Sequence, residues 1–215
     1  RLFIASNFNE CTDFIEKKYL LDDKIEFIYL KNYLLQHQSE FNVLTERIFD
    51  VCQRKIIDMN TIKQLSKLWI HNTFANLTGN DIHYPINLLE NKFKGKTALV
   101  LGAGPSLKDN IEKIKANRDK FVIFAVHRNL ETLRLNDVTP DFCVVVDTNN
   151  VSYSITKDLK YLSEINVIAD IKADNYIKKL PFKNFFTYYS ENSLFSKKLQ
   201  SKLPDVVKTL ETGGT

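Results

Sequence analysis

The sequence predicts an α/β fold, a mostly parallel sheet preceded by a mainly helical N-terminal region. Three observations carry that expectation. Beyond Lys94-Gly95-Lys96, short apolar runs alternate with segments of helical periodicity. The apolar runs are nearly continuous, as strands of a parallel sheet covered on both faces require. Ahead of the same point, long stretches lack Gly and Pro and place apolar residues at helical spacing. Together they make residues 1–93 a mainly helical domain and residues 94–215 a Rossmann-like domain, incomplete at its C-terminus.

In the N-terminal region, Phe41, Leu44, Ile48, Val51 and Cys52 predict a helix over residues 40–58. Ile62, Leu65, Leu68, Trp69 and Ile70 predict another over residues 60–77. Residues 1–6 and 25–30 are apolar enough to form strands of a small sheet. The stretch 77–85, which contains Thr-Gly-Asn-Asp, reads as a connector. The α/β pattern follows, with strands at 97–101, 121–126, 142–147 and 165–170 and a possible fifth at 185–189. Helices are expected at 107–117 and 130–136.

Composition narrows the function. The net charge of +4 lies wholly beyond residue 95, where eighteen basic residues face fourteen acidic ones. That excess suits an anionic ligand as well as it suits a plain solvated surface. No arginine-rich tract or basic and aromatic alternation points to nucleic acid, and no apolar run reaches bilayer-spanning length. Cys11, Cys52 and Cys143 lack metal-ligand spacing, and Cys143 sits in an apolar run as a core residue would. His37, His71, His83 and His127 are too scattered to indicate a metal site. These features predict a cytoplasmic protein without a disulfide framework or tightly bound cofactor. The chain opens on Arg1 and stops at Thr215, which reads as a piece of something longer.

The chemistry concentrates at Gly102-Ala103-Gly104-Pro105-Ser106-Leu107, where the first α/β strand turns into a helix. Glycine permits positive φ and lets a ligand approach the backbone without meeting a Cβ. Pro105 stiffens the turn, and Ser106 with Asp109 has the spacing of a capping box. A helix start offers N–H groups and a positive dipole end to phosphate, and α/β folds place ligands at strand carboxyl ends. Leu107 stands where the dinucleotide fingerprint needs its third glycine, and P-loop spacing is missing, so NAD and Walker-type ATP sites are disfavoured.

Two further strand ends carry polar groups. His127 and Arg128 could meet a ribose, base or phosphate; alternatively both are simply exposed while Asn129 caps the next helix. Asp147 is placed to bond a hydroxyl, to bind a metal or to cap a loop. Thr212-Gly213-Gly214-Thr215 suggests one more close backbone approach.

These segments resemble the motility accessory factor (Maf) glycosyltransferases of flagellated bacteria. The resemblance rests on Phe93 to Leu107, on Thr139-Pro-Asp-Phe-Cys-Val-Val-Val-Asp147 and on Thr212 to Thr215. Upstream, Leu68-Trp-Ile-His-Asn72 followed by Asn76 resembles the helix that precedes that domain. It implies transfer of a pseudaminic or legionaminic type sugar from its CMP form to flagellin Ser or Thr, for flagellum assembly and motility. A similarity to bacterial sialyltransferases goes with it. Gly102, Gly104, Pro105 and Ser106 would line the CMP site, His127 falls at a polar strand-end position of the sialyltransferases, and Asp147 matches the Maf acidic position. Thr212, Gly213 and Gly214 would close around phosphate or sugar. In the related sialyltransferases the general base comes from later in the chain than any segment matched here, and Asp147 is the one candidate within it. The same turn occurs in pterin diphosphokinases, which use ATP, and this is the alternative enzyme. A non-catalytic flagellin-binding module is the alternative of another class. Metal requirement and oligomeric state stay open.

Overall fold

In the computed structural model, the structure describes residues 4, 7–19, 24–28, 30–78, 83–190, 198 and 209–210. Two compact units emerge, Arg1–Ser66 and Lys67–Thr215. Their division falls inside a helix, whereas composition puts the boundary after residue 93.

The first unit is helical. Asn7 accepts the Glu10 N–H to open α1 (Phe8–Lys18), whose last turn carries Lys17 and Lys18 against the dipole's negative end. Then come α2 (Lys31–Gln36) and the first part of α3 (Gln38–Leu77). Ile15 packs on Ile48 and Val51, flanked by Phe14, Leu44 and Cys52. The two helices read separately at 40–58 and 60–77 are one helix of 40 residues, because neither Gly nor Pro interrupts them. The expected strand at 25–30 does not form: its described residues are irregular, and Ile28 and Leu30 are exposed. A strand needs a ladder partner, and the described residues of this unit supply none. Most of 1–6 lies outside the described residues.

The second unit is built on a parallel sheet. Its strands are β1 (His83–Pro85), β2 (Thr97–Leu101), β3 (Phe121–Val126), β4 (Phe142–Val145), β5 (Asn166–Asp170), β6 (Asn184–Ser190) and β7 (Thr209–Leu210). They lie in the order β1-β6-β5-β4-β3-β2, with β7 also on β6, and every pairing is parallel. The α/β expectation holds. The short β1, ending in Pro85, corrects the reading of 77–85 as a mere connector: three residues pair with Phe185, Phe186 and Thr187.

β2 to β6 follow one another across the sheet, so the intervening helices gather on one face. These are α4 (Ser106–Ala116), α5 (Leu130–Leu135), α6 (Val151–Ser154) and α7 (Leu159–Leu162). Leu101, Ile123, Ala125 and Leu133 pack with Leu107, Ile111 and Ile114 of α4. Cys143, Val145, Val167 and Ala169 continue that face against Val151, Ile155, Leu162 and Ile177. The opposite face holds Val122, Phe142, Ile168 and Phe186, covered by Tyr84, Ile86, Leu89 and Phe93. Among the described residues α4 to α7 therefore lie on one face, while a short 3-10 helix (Ile86–Leu89) and the segment up to Phe93 cover part of the other. Among the described residues no helix is long and apolar enough to cross a membrane.

Candidate functional site at the strand ends

The ends of β2, β3 and β4 are neighbours, because Leu101 pairs with Ala125 and Val126 with Val144. The register thus brings the glycine turn, the His127 segment and the Asp147 loop to one rim. Gly102, Ala103, Gly104, Pro105 and Ser106 are all exposed there. Three details of the turn differ from the expectation. Neither Gly102 nor Gly104 has positive φ; Gly95 does, at +81°. Pro105, in the right-handed helical region, occupies the cap position without a side-chain bond. Ser106 consequently starts the helix, and no Ser106–Asp109 capping box forms. A proline cannot donate, and its fixed φ already fits the helix, so the start needs no serine cap.

The glycines retain the other reason for their presence. A Cβ on Gly102 would meet nothing within 4 Å, and one on Gly104 only the Ser106 Oγ at 3.9 Å. The room in front of the turn is open, available to a ligand. The Leu107 and Lys108 N–H groups already bond the Gly104 and Pro105 carbonyls. Ala103, Gly104 and Ser106 carry no such helix-start bond.

Asn129, whose sequence reading was a helix cap, does something else. It is buried, and its Nδ2 donates to the Leu101 carbonyl at 3.0 Å and the Gly102 carbonyl at 2.9 Å. One side chain from the end of β3 therefore holds the glycine turn in place. His127 is not exposed either: its side chain is 7% accessible and its Nε2 lies 3.5 Å from the Asp147 Oδ2. Burial lowers its pKa, and Arg128 adds to that, while the Asp147 carboxylate pulls the other way. Arg128 is exposed, with its guanidinium 3.3 Å from the same Oδ2. Asp147 itself is half exposed, so a carboxylate, an imidazole and a guanidinium meet beside the turn.

The Asp147 loop is anchored from below. The Asp174 N–H donates to the Asp147 carbonyl at 3.0 Å. Asn72, near the end of α3, donates to the Thr148 and Lys172 carbonyls, and Asn76 to those of Ile171 and Ala173. This end of α3 buries Asn72, Thr73 and Asn76, while Ile70 and Phe74 face outward. Of the apolar face that periodicity predicts, Leu65, Leu68 and Trp69 are half-buried and Ile62 and Ile70 exposed; beyond them amides are buried because they satisfy loop carbonyls.

At the ends of β5 and β6 lie Asp170 and Ser190, which the sequence reading did not single out. Both are buried. The Asp170 Oδ1 accepts the Lys172 N–H at 3.0 Å, and its Oδ2 lies 3.9 Å from the Lys172 Nζ, with the Ser190 hydroxyl beside the carboxylate. Burial raises the Asp170 pKa against the pull of Lys172, whose ammonium also sits over the Trp69 ring. Among the described residues no group of three or more His, Cys, Asp or Glu could hold a metal ion. Thr212, Gly213 and Gly214 lie outside the described residues.

Comparison with known proteins fits this architecture. A Maf glycosyltransferase from Magnetospirillum magneticum AMB-1 shares the fold with a TM-score of 0.55 and 22% identity, over 80% of this chain and 27% of that one. An uncharacterized protein of Treponema pallidum (strain Nichols) is 32% identical over 130 residues, 59% of this chain. The chain spans about 61% of that relative's length. The model of the family described as 6-hydroxymethylpterin diphosphokinase MptE-like matches residues 71–215, from the tip of α3 through the whole sheet. By that match the chain belongs to the MptE-like family, with a fold shared by a Maf glycosyltransferase.

Proposed function

We propose that this chain holds the donor site of a glycosyltransferase that moves a nonulosonic acid, of pseudaminic or legionaminic type, from its CMP form to Ser or Thr of flagellin in the cytoplasm. The observation that carries the reading is the open glycine turn, clamped by Asn129 and flanked by His127, Arg128 and Asp147. The fold shared with a Maf glycosyltransferase supports it.

In this reading the phosphate of CMP lies against the N–H groups and hydroxyl of Gly102, Gly104 and Ser106, with Pro105 shaping the turn. The bond from the anomeric carbon to the phosphate oxygen breaks as the acceptor oxygen bonds to that carbon. CMP leaves with the electron pair, and donors at the turn stabilise its charge. Asp147 takes the acceptor's proton. Neutral His127 faces the donor's ribose or base, and Thr212, Gly213 and Gly214 close the site.

The family's description favours a second reading, an ATP-dependent pterin diphosphokinase. Calorimetry with CMP, CDP, ATP and NAD separates the two. Cytidine nucleotides bind, and Gly104→Val weakens them at least tenfold by filling the open room, about 1.4 kcal/mol or more. Folding stability changes little, since the new Cβ meets only the Ser106 Oγ. Binding of ATP together with a pterin, but not of CMP, replaces this reading with the second. Absence of any nucleotide binding leaves a flagellin-binding module.

A further inference from the structure

β2 is the edge of the sheet: among the described residues, β3 pairs with one side of it and no strand with the other. Natural edges are blunted by charge, proline or brevity. The other rim of the sheet follows that rule, with a three-residue β1 that ends in Pro85. β2 does not. Its five residues, Thr-Ala-Leu-Val-Leu, carry neither charge nor proline, and Val100 is 75% exposed.

A groove of about 400 Å³ runs along this edge between β2 and α4. Leu99, Val100 and Leu101 line one side, Asn110 and Lys113 the other, and Gly102 and Ser106 also line it. The groove and the glycine turn are therefore continuous. The flanking sequence is also basic: residues 92–120 carry eight basic side chains against three acidic ones, and with Lys115 and Arg118 paired to Asp137 and Asp141 an excess of three remains, Lys113 standing in the groove itself.

We propose that the free edge of β2 binds the acceptor polypeptide, as an extended, acidic segment added to the sheet as a strand. An unpaired strand edge presents a row of N–H and C=O groups that an extended backbone satisfies, while side-chain pockets set preference. The apolar side of the groove takes alternate side chains, and Lys113 favours acidic neighbours. Continuity with Gly102 and Ser106 delivers a hydroxyl-bearing residue of the segment to the turn. This last step rests on the reading of that turn as the donor site.

The test is an NMR titration of the full chain with a synthetic peptide in which Asp and Val alternate around a central Ser. Expected are shifts of the Thr97–Leu101 amides, their loss when alternate peptide amides are N-methylated, and about tenfold weaker binding to Lys113→Glu. Lys113 is exposed and lies outside the proposed donor contacts, so the variant folds as the parent does. Absence of shifts at β2, or equal binding of the N-methylated peptide, overturns strand addition. Equal competition by an oligonucleotide of matching charge overturns it in favour of a nucleic-acid surface. A CMP titration of the same sample keeps the two readings apart. CMP shifts at Gly102–Ser106 without peptide binding remove the edge proposal alone; peptide shifts at β2 without CMP binding remove the donor reading and leave the edge.

Discussion

The carboxyl ends of β2, β3 and β4 are open, whereas those of β5 and β6 are closed, although polar residues stand at both. At the open rim the glycine turn is exposed, Asp147 and Arg128 reach solvent, and buried Asn129 fixes the backbone that they flank. At the closed rim Asp170 and Ser190 are buried, and the tip of α3 fastens the loop after β5 through Asn72 and Asn76. A polar residue at a parallel-strand end is thus not itself a site. Amides tie loops at both rims, Asn72 reaching Thr148 as well as Lys172; what separates the rims is that Asn129 holds an exposed turn, while Asp170 and Ser190 are buried.

The closed rim breaks most severely. Asn76→Ala removes the donor to two buried carbonyls, those of Ile171 and Ala173. An unsatisfied buried polar group costs about 1–3 kcal/mol, so the pair should cost about 3 kcal/mol or more of stability. Urea titration checks the value, and a loss below about 1 kcal/mol would show that water replaces the amide. Asn129→Ala, at the open rim, should cost less stability, about 2 kcal/mol, because one of its two bonds is only part-buried. Its mark is on binding: freed of the clamp, the turn should lose at least about tenfold in CMP affinity. Unchanged affinity in a folded Asn129→Ala protein would reduce the residue to a structural tie.

How far the sequence reveals these rims follows the range of the interactions. The β2 strand, the turn and α4 are legible because a short apolar run, two glycines and a proline are local signals. The parallel character of β3 to β6 is legible for the same reason, strand and helix alternating; their order across the sheet is not. Asn129 hides because its role depends on the β2–β3 register, which no local pattern states. β1 hides because three residues ending in Pro carry no periodicity and gain their place only by pairing with β6. The tip of α3 misleads in part: of the apolar face read from Ile62, Leu65, Leu68, Trp69 and Ile70, the middle three are half-buried, while Ile70 is exposed and the fully buried residues beyond it are Asn72, Thr73 and Asn76. Those two asparagines stood in the family resemblance, yet their task emerges only with the loops they bind.

The smallest expected effect, in pH, sharpens the contrast because the two rims respond with opposite sign. His127 has a lowered pKa, mainly from burial, so the folded chain binds fewer protons there than the unfolded chain. Its contribution to stability is complete above the ordinary histidine pKa of about 6.5 and falls away as pH drops through that value toward the folded one. Asp170 has a raised pKa, again mainly from burial, so the folded chain binds more protons there. Stability then falls as pH rises from the ordinary aspartate value of about 3.9 through the folded one, because ionising this buried carboxylate costs more than the Lys172 ammonium, 3.9 Å from its Oδ2, returns. His127→Gln should therefore flatten the acid side of the stability profile below about pH 6.5. Asp170→Asn should gain on the parent as pH rises, since a neutral amide bears the burial better and can donate to the nearby Ser190 Oγ. Thermal melts of both variants across pH 4 to 8, about the span of these titrations, check the pair. If Asp170→Asn instead lost stability at every pH, the carboxylate's attraction to the Lys172 ammonium would outweigh its burial, and the closed rim would be held by charge as well as by amides.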